Sequence, residues 1–202
     1  LTVWGDPKEL LLGKEDTYKS KMNRGEIYHS IPLFLDEITN LSSSELSDLA
    51  YQYVSGRQRR RLDSNSKEKL NGIPWSFTSI TTGNVSVIER IMLIKDAPKA
   101  EAQRILEFKV DRLFKDSASK LQTDKWTREV HSNYGHAGVL FVQYVMSNRE
   151  EVTKELEEVQ QRIDREAGLT SENRFWSAGA ACTMTALAIC KRIGLLQYDT
   201  ER

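Results

Sequence analysis

Cysteine, histidine and net charge are all scarce in this chain of 202 residues. The two cysteines, Cys182 and Cys190, lie in one apolar stretch of helical character, where two helical turns would hold their Cα atoms too far apart for a disulfide. We therefore expect core thiols in a protein of a reducing compartment. The three histidines have no cysteine or acid at zinc-ligand spacing, which predicts structural roles for them. A formal net charge of zero argues against a protein that coats nucleic acid generally.

Long apolar runs are also missing. None reaches the roughly 20 residues needed to cross a membrane, and we expect a cytoplasmic protein with no membrane contact. Neither an internal repeat nor a low-complexity tract is visible. With 39% hydrophobic and 29% charged residues, the composition is that of one globular domain, or of one domain with a small appendage.

The most informative stretch is 31–40, in which an apolar run of strand length ends in two adjacent acids. Leu33, Phe34 and Leu35 show no alternation, which is typical of a strand covered on both faces in a parallel sheet. Ligands of such sheets bind at the carboxyl ends of the strands, where Asp36 and Glu37 fall. One carboxylate can hold Mg²⁺ while its neighbour polarises an attacking water. The alternative is a buried strand that ends in an acidic helix cap.

Polar residues follow or precede two further strand-like segments. The first, Trp75 to Thr82, is rich in aromatic and β-branched residues and leads into Asn84. The second, Ile105 to Val110, alternates with a period of two and comes directly after Arg104. Helical spacing and cap residues predict several helices. They run from a cap at Asp16 or Thr17 to about Arg24, with a break at Gly25, from a cap at Ser43 or Ser44 to Val54, over 85–94, over a short turn at 98–103, and then over 121–133, 138–148, 149–167 and 172–195.

The segment from Gly56 to Pro74 is the most basic part of the chain and reads as an exposed loop or hairpin. Three consecutive arginines suit phosphate contact. The alternative is a solvated charged loop. The residues predicted to contact nucleic acid here are Arg57, Arg59, Arg60, Arg61, Lys67 and Lys69.

The order of these motifs resembles the core of an AAA+ type ATPase. The sequence Leu-Phe-Leu-Asp-Glu at 33–37 is followed by Ile-Thr-Thr-Gly-Asn at 80–84 and Gln-Arg-Ile-Leu-Glu-Phe at 103–108. This order is similar to the superfamily 3-like helicase domains of phage and plasmid replication proteins. With Val-Trp-Gly-Asp-Pro at 3–7 and Asn-Tyr-Gly-His-Ala-Gly at 133–138, it resembles a phage and prophage helicase-like family in particular. The resemblance covers roughly residues 1 to 145.

The resemblance implies a role for each matching residue. Asp36 would help to bind Mg²⁺, Glu37 would activate the attacking water, and Thr82 would contact the nucleotide, ATP. Asn84 matches the sensor position that orients this water, and Arg104 stands where such families place an arginine finger. Because that arginine acts on the neighbouring subunit's nucleotide, the resemblance also implies a ring, expected to be a hexamer. The partner would be DNA, expected to be single-stranded and contacted by the basic segment.

One departure from the family pattern is serious. Nothing here satisfies Gly-x-x-x-x-Gly-Lys-Ser/Thr, since Gly13-Lys14 is followed by Glu15 and position 8 is lysine. In the family, the phosphate loop precedes the segment at 3–7, so we expect the given sequence to begin just after it and to bind ATP poorly alone.

The predicted fold class is therefore α/β. An AAA+-like P-loop NTPase core over 1–115, without its N-terminal strand and phosphate loop, is followed by an α-helical domain over 116–202. The predicted function is part of an ATP-dependent DNA helicase or translocase of phage or mobile-element replication. Two alternatives remain: a non-catalytic module for DNA binding or assembly, and an ATP-driven packaging or remodelling motor on the same fold.

Overall fold

The computed structural model describes residues 1–57, 73–96, 98–110 and 117–197. It divides into two compact units, Leu1 with Pro7–Asp111, and Thr2–Asp6 with Arg112–Arg202. The basic residues Arg59, Arg60, Arg61, Lys67 and Lys69 lie outside the described residues.

The first unit is built around a small parallel sheet with short helices between its strands. Its elements are α1 (Pro7–Leu10), β1 (Leu11–Leu12), α2 (Tyr18–Tyr28), β2 (Leu33–Leu35), a 3₁₀ turn (Ile38–Asn40), α3 (Ser43–Ser55), β3 (Ser79–Thr81), α4 (Val87–Met92) and α5 (Lys99–Ala102).

The described strands form one sheet in the order β1-β2-β3. Both pairings are parallel, with Leu12 opposite Leu35 and Leu35 opposite Thr81. Leu33 and Leu35 lie on one face of β2 and are fully buried at 0% and 1% exposure, whereas Phe34 on the other face is half-buried, so the strand is covered more completely on one face than on the other. Around them the core includes Leu12 and Ile91. The prediction of a strand at 31–35 is confirmed for its last three residues.

Helix α2 continues past Gly25, so the predicted break there is wrong. Thr17 caps the helix as expected, since its hydroxyl accepts a hydrogen bond from the Ser20 N–H at 3.2 Å. Gly25 is buried inside the helix, close to Phe77 and Trp75. A Cβ at this position would lie 3.2 Å from the Phe77 ring and 3.3 Å from Trp75. This glycine serves close packing rather than helix termination.

Helix α3 begins one residue earlier than its predicted caps allow. Ser42 is the N-cap, and it forms a capping box with Glu45, in which each side chain binds the other's backbone N–H. The hydrogen bonds that the Ser42 N–H and the Ser42 hydroxyl donate to Glu45 lower the pKa of its carboxyl. The spacing Ser-x-x-Glu is the sequence signal that selects Ser42, because neither Ser43 nor Ser44 has a glutamate or glutamine three residues later.

Residues 105–110 form no strand, which corrects the sequence prediction. Leu106, Phe108 and Val110 alternate as predicted, but they are 67 to 75% exposed and pair with no strand of the described chain. Glu107 instead accepts hydrogen bonds from the Val87 and Ile88 N–H groups at the start of α4. A segment whose apolar residues alternate with a period of two forms a strand only when another strand pairs with it.

The second unit is helical in its described part. It contains α6 (Ser117–Ser132), α7 (His136–Ser147), α8 (Arg149–Ala167), a 3₁₀ turn (Ser171–Asn173) and α9 (Arg174–Arg192). A hydrogen bond of 2.5 Å from the Ser177 hydroxyl to Asp164 joins α9 to α8. Arg192 of α9 also binds both oxygens of Glu155 at 3.0 Å and the Tyr144 hydroxyl of α7. None of the helices in the described ranges is long and apolar enough to cross a membrane.

The segment Thr2–Asp6, here called the strap, packs against the start of α7 in the second unit. The Gly135 N–H donates to the Thr2 carbonyl at 2.7 Å, and the Gly138 N–H donates to the Val3 carbonyl at 2.9 Å. Gly135 has φ +81°, the left-handed conformation that favours glycine. A Cβ on Gly138 would lie 2.5 Å from the Val3 carbonyl oxygen. The absence of side chains at Gly135 and Gly138 therefore allows the backbone of the strap to lie against the start of α7.

Candidate active site at the carboxyl edge of the sheet

The parallel register brings the polar ends of β2 and β3 to one edge of the sheet. Hydrogen bonds continue one residue beyond the strands, since the Asp36 N–H donates to the Leu12 carbonyl at 2.8 Å and the Thr82 N–H to the Leu35 carbonyl at 3.0 Å. The next bond, from the Ile38 N–H to the Thr82 carbonyl, is 3.1 Å long. The backbone at both strand ends is thereby fixed by the sheet.

Asp36 and Thr82 are joined directly at this edge. The Thr82 hydroxyl donates to Asp36 Oδ1, and the same hydroxyl oxygen accepts the Glu37 N–H at 3.3 Å. Both Asp36 and Thr82 are exposed, so a ligand can reach them from solvent. The structure thus brings together the two residues that the resemblance assigns to the metal and the nucleotide.

Glu37 is held by Asn84, the residue that follows β3 and Gly83. The Asn84 side-chain amide donates to Glu37 Oε1 and Oε2, at 3.1 Å to each oxygen. Glu37 itself has φ 53° and ψ 55°, a left-handed conformation that is uncommon for a residue with a side chain. This conformation turns the chain sharply after Asp36. The two neighbouring acids of the sequence consequently make different contacts, Asp36 with Thr82 and Glu37 with Asn84.

Oxygen donors at this edge fit Mg²⁺ chemistry. Mg²⁺ prefers oxygen ligands, keeps several waters and is commonly held by one or two carboxylates together with substrate phosphates. The Asp36 carboxylate and the Thr82 hydroxyl supply oxygen donors of this kind. No cluster of three or more His, Cys, Asp or Glu side chains suited to a metal occurs in the part of the chain that the structure describes.

Arg104 belongs to a different cluster of the first unit. Its guanidinium lies over the ring of Tyr51 on α3, 4.8 Å from the ring centroid, and donates to the Ala100 carbonyl at 2.5 Å. Lys95 approaches the same ring, with its Nζ 5.4 Å from the centroid. Asp36, Glu37, Thr82 and Asn84 are brought together by the structure, whereas Arg104 packs on α3.

A buried acid supports the Tyr51 cluster. Glu101 is 2% exposed and accepts hydrogen bonds from the Ser47 hydroxyl at 2.8 Å and from the Lys95 ammonium. Burial raises the pKa of the Glu101 carboxyl, but the hydrogen bonds from Lys95 and Ser47 outweigh it and leave the pKa below the ordinary value. The hydrogen bond from Ser47 ties α5 to α3, and the ion pair with Lys95 ties α5 to the segment that follows α4.

Of the predicted nucleic-acid contacts, only Arg57 is described, and it is exposed just beyond α3. The Ser55 hydroxyl donates to the Arg57 carbonyl at 3.0 Å. The remaining members of the basic group fall outside the described residues, so their contact with nucleic acid stays a prediction.

Two residues at the site had no assigned role in the sequence. The Thr39 hydroxyl donates to Glu37 Oε1, and Arg90 Nη1 of α4 donates to the Thr39 carbonyl. Thr39 follows the acids by two positions, so its proximity could have been read from the sequence. Arg90 is 51 residues further along, and only tertiary structure brings it there.

Comparison with known proteins shows similarity in fold. No protein-family model and no curated protein matches this chain. Among solved structures, a chain titled "SCCmec type IV Cch - active helicase" superposes with a TM-score of 0.65 at 18% identity. The match covers 94% of this chain and 33% of that one, so the present chain spans about a third of the other's length. The chain therefore has a mostly helical, helicase-like fold with a small parallel sheet.

Proposed function

We propose that this chain is part of an ATP-dependent DNA helicase or translocase with an AAA+-like P-loop core, of the kind used in phage or mobile-element replication. The observation that carries the proposal is the pairing of Glu37 with Asn84 beside the Asp36–Thr82 pair, at the carboxyl edge of a parallel sheet. The helicase-like fold supports it. A surface acidic cap would not require an amide from a neighbouring strand end.

The proposed reaction is hydrolysis of the bond between the β- and γ-phosphates of ATP. Asp36 and Thr82 would hold Mg²⁺, which neutralises developing negative charge on the phosphate oxygens when bound. The oxygen of the water bonds to the γ-phosphorus while Glu37 accepts a proton from that water. ADP leaves with the electrons of the broken bond between phosphorus and oxygen. Asn84 can donate one N–H to Glu37 and the other to water or the γ-phosphate, so it orients the nucleophile.

We further propose that the phosphate-binding loop belongs to a segment outside residues 1–202. No such loop occurs in this sequence. Among the described strands, β3 pairs on one side only, and its Ile80 is 48% exposed. A further strand could pair with this free edge and place a phosphate loop beside Asp36. Arg104 would then serve a neighbouring subunit's nucleotide in a ring, expected to be a hexamer, with single-stranded DNA bound by the basic segment.

The test uses a longer polypeptide of this protein that carries a phosphate loop. We expect DNA-stimulated ATP hydrolysis, loss of at least a hundredfold in kcat for Glu37→Gln, since general-base contributions are about 10²–10⁴-fold, and a smaller loss for Asn84→Ala. Glu158→Gln on α8 is a matched control, because that acid is exposed and pairs only loosely with Lys154 at 3.8 Å. Full turnover in Glu37→Gln would refute the proposal.

A second candidate is a non-catalytic module for DNA binding or assembly, favoured by the missing phosphate loop in this sequence. It predicts DNA binding without ATP turnover in the longer polypeptide as well. Replacement of Arg59, Arg60 and Arg61 by alanine should abolish DNA stimulation in the helicase or translocase, and DNA binding in this second case. Strand-displacement assays separate unwinding from translocation. Hydrolysis indifferent to DNA would instead indicate a protein-remodelling motor.

A further inference from the structure

Glu37 needs support beyond Asn84 because its backbone is in an uncommon conformation. A left-handed residue with a side chain persists only where its surroundings hold it. The Glu37 N–H is bound by the Thr82 hydroxyl at 3.3 Å, and the adjacent Ile38 N–H by the Thr82 carbonyl at 3.1 Å. These bonds hold the backbone, but the three rotatable bonds of the Glu37 side chain must be held separately.

Thr39 supplies a second hold on the Glu37 side chain. Its hydroxyl donates to Glu37 Oε1, the same oxygen that accepts one of the Asn84 hydrogen bonds. The Thr39 methyl group faces Gly83, where a Cβ would lie 3.2 Å from it. The glycine at position 83 therefore leaves room for this methyl group while the Thr39 hydroxyl is directed at the carboxylate.

Arg90 in turn holds Thr39. Its Nη1 donates to the Thr39 carbonyl across 51 residues of sequence, from the middle of α4 to the 3₁₀ turn. Arg90 is half-buried, and its helix is anchored by Ile91, which is 0% exposed in the core. A charged donor on a carbonyl makes a stronger bond than a neutral one. The 3₁₀ turn is thus tied to a rigid element.

We propose that Thr39 and Arg90 are positioning residues for Glu37, acting in series. This inference rests on the proposed function, in which Glu37 activates water. With Thr39 and Asn84 both bound, Oε1 accepts two hydrogen bonds, while Oε2, which accepts one from Asn84, keeps a lone pair for the water. Without the Thr39 hydroxyl, Asn84 alone holds it and the carboxylate can turn away from the water. A misplacement of about 1 Å can cost on the order of a hundredfold in rate.

The experiment compares Thr39→Val with Thr39→Ser in the longer polypeptide that carries a phosphate loop. Valine keeps the shape and loses the hydroxyl, whereas serine keeps the hydroxyl. We expect Thr39→Val to lower kcat about tenfold to a hundredfold with little change in KM for ATP, and Thr39→Ser to recover most of the activity. A residue with only a structural role would lower the unfolding midpoint and would not separate kcat from KM.

Arg90→Met provides a second test, because methionine keeps much of the side-chain length and removes the donor. We expect a loss in kcat in the same direction, and a Thr39→Val/Arg90→Met double variant no slower than Thr39→Val alone, since the two act through one carboxylate. If Thr39→Val fails to fold, the comparison of Arg90→Met with Arg90→Lys, which keeps a donor, replaces it. If the fold-loss in kcat of the double variant equals the product of the losses in the two single variants, the claim that Arg90 acts through Thr39 is refuted.

Failure of this inference is distinguishable from failure of the proposed function. If Glu37→Gln keeps turnover, the proposed function fails, and the inference fails with it. If Glu37→Gln is inactive and Thr39→Val turns over ATP at the unaltered rate, only the positioning role of Thr39 and Arg90 is refuted.

Discussion

Replacement of Gly138 by alanine should detach the strap from α7. An added Cβ would lie 2.5 Å from the Val3 carbonyl oxygen and 2.9 Å from Trp4 Cε3. The carbonyl is backbone and cannot rotate away independently, so the strap itself has to move. Gly138 is the third residue of α7, and its own N–H binds that carbonyl. The substitution therefore disturbs the strap and the helix start together.

The size of the effect follows from what is lost and what is gained. Two backbone hydrogen bonds hold the strap, at Gly135 and Gly138, and each is worth a net ~0.5–1.5 kcal/mol. Half-buried Trp4 loses part of its packing as well. Against this, alanine improves helix propensity by up to about 1 kcal/mol, and by less at a helix start. We expect a net loss of roughly 1–3 kcal/mol in the free energy of unfolding.

The control is Gly179→Ala in α9, where a Cβ would meet nothing within 4 Å. There only the helix propensity changes, so this variant should be more stable by up to about 1 kcal/mol. Urea unfolding should show that the free energy of unfolding falls in Gly138→Ala and rises in Gly179→Ala. Amide hydrogen exchange at Gly135 reports directly on the strap. A Gly138→Ala variant as stable as the unaltered protein, with the Gly135 amide still protected, would refute the reasoning.

Three further outcomes are expected. Leu35→Ala, at a position 1% exposed, should cost about 2–5 kcal/mol in urea unfolding; a smaller loss would mean that the sheet is not the core. The lowered pKa of Glu101 means that its contribution to stability is present above the ordinary glutamate value of about 4.3 and is lost as pH falls through its folded-state pKa. Stability between neutral pH and pH 3 should therefore fall more steeply in the unaltered protein than in Glu101→Gln, and parallel curves would contradict this. Glu155→Gln, which removes the charge from the partly exposed pair with Arg192, should cost only ~0–1 kcal/mol, less in high salt; thermal melts at two salt concentrations measure it.

Several parts of the fold were readable from local signals. The stripe of apolar residues at 149–167 predicts a helix with the limits of α8, and the cap of α2 is Thr17, one of the two residues predicted for it. The continuous apolar run at 33–35 predicts a strand covered on both faces; Leu33 and Leu35 on one face are buried, and Phe34 on the other face is half-buried. These signals lie within one or two turns of chain, where periodicity and capping depend on neighbouring residues alone.

The misreadings came where a local pattern has two structural meanings. The sequence predicts that Gly25 ends a helix, yet Gly25 lies inside α2, where Phe77 and Trp75 leave little space for a side chain. Residues 105–110 alternate as a strand would, yet no described strand lies beside them. Whether a glycine ends a helix, and whether an alternating segment forms a strand, depends on the residues that pack against it. Those residues lie far away in the sequence.

The sequence by itself determined which chemistry the chain can offer: two acids at a strand end, an amide after the next strand, and no phosphate loop. Only the tertiary structure decided how those groups are arranged. The register of β2 against β3 brings Asn84 to Glu37 across 47 residues, and α4 brings Arg90 to Thr39 across 51. The physical reason is that hydrogen bonds act over about 3 Å, so contacts between residues so distant in sequence exist only after the sheet has aligned its strands.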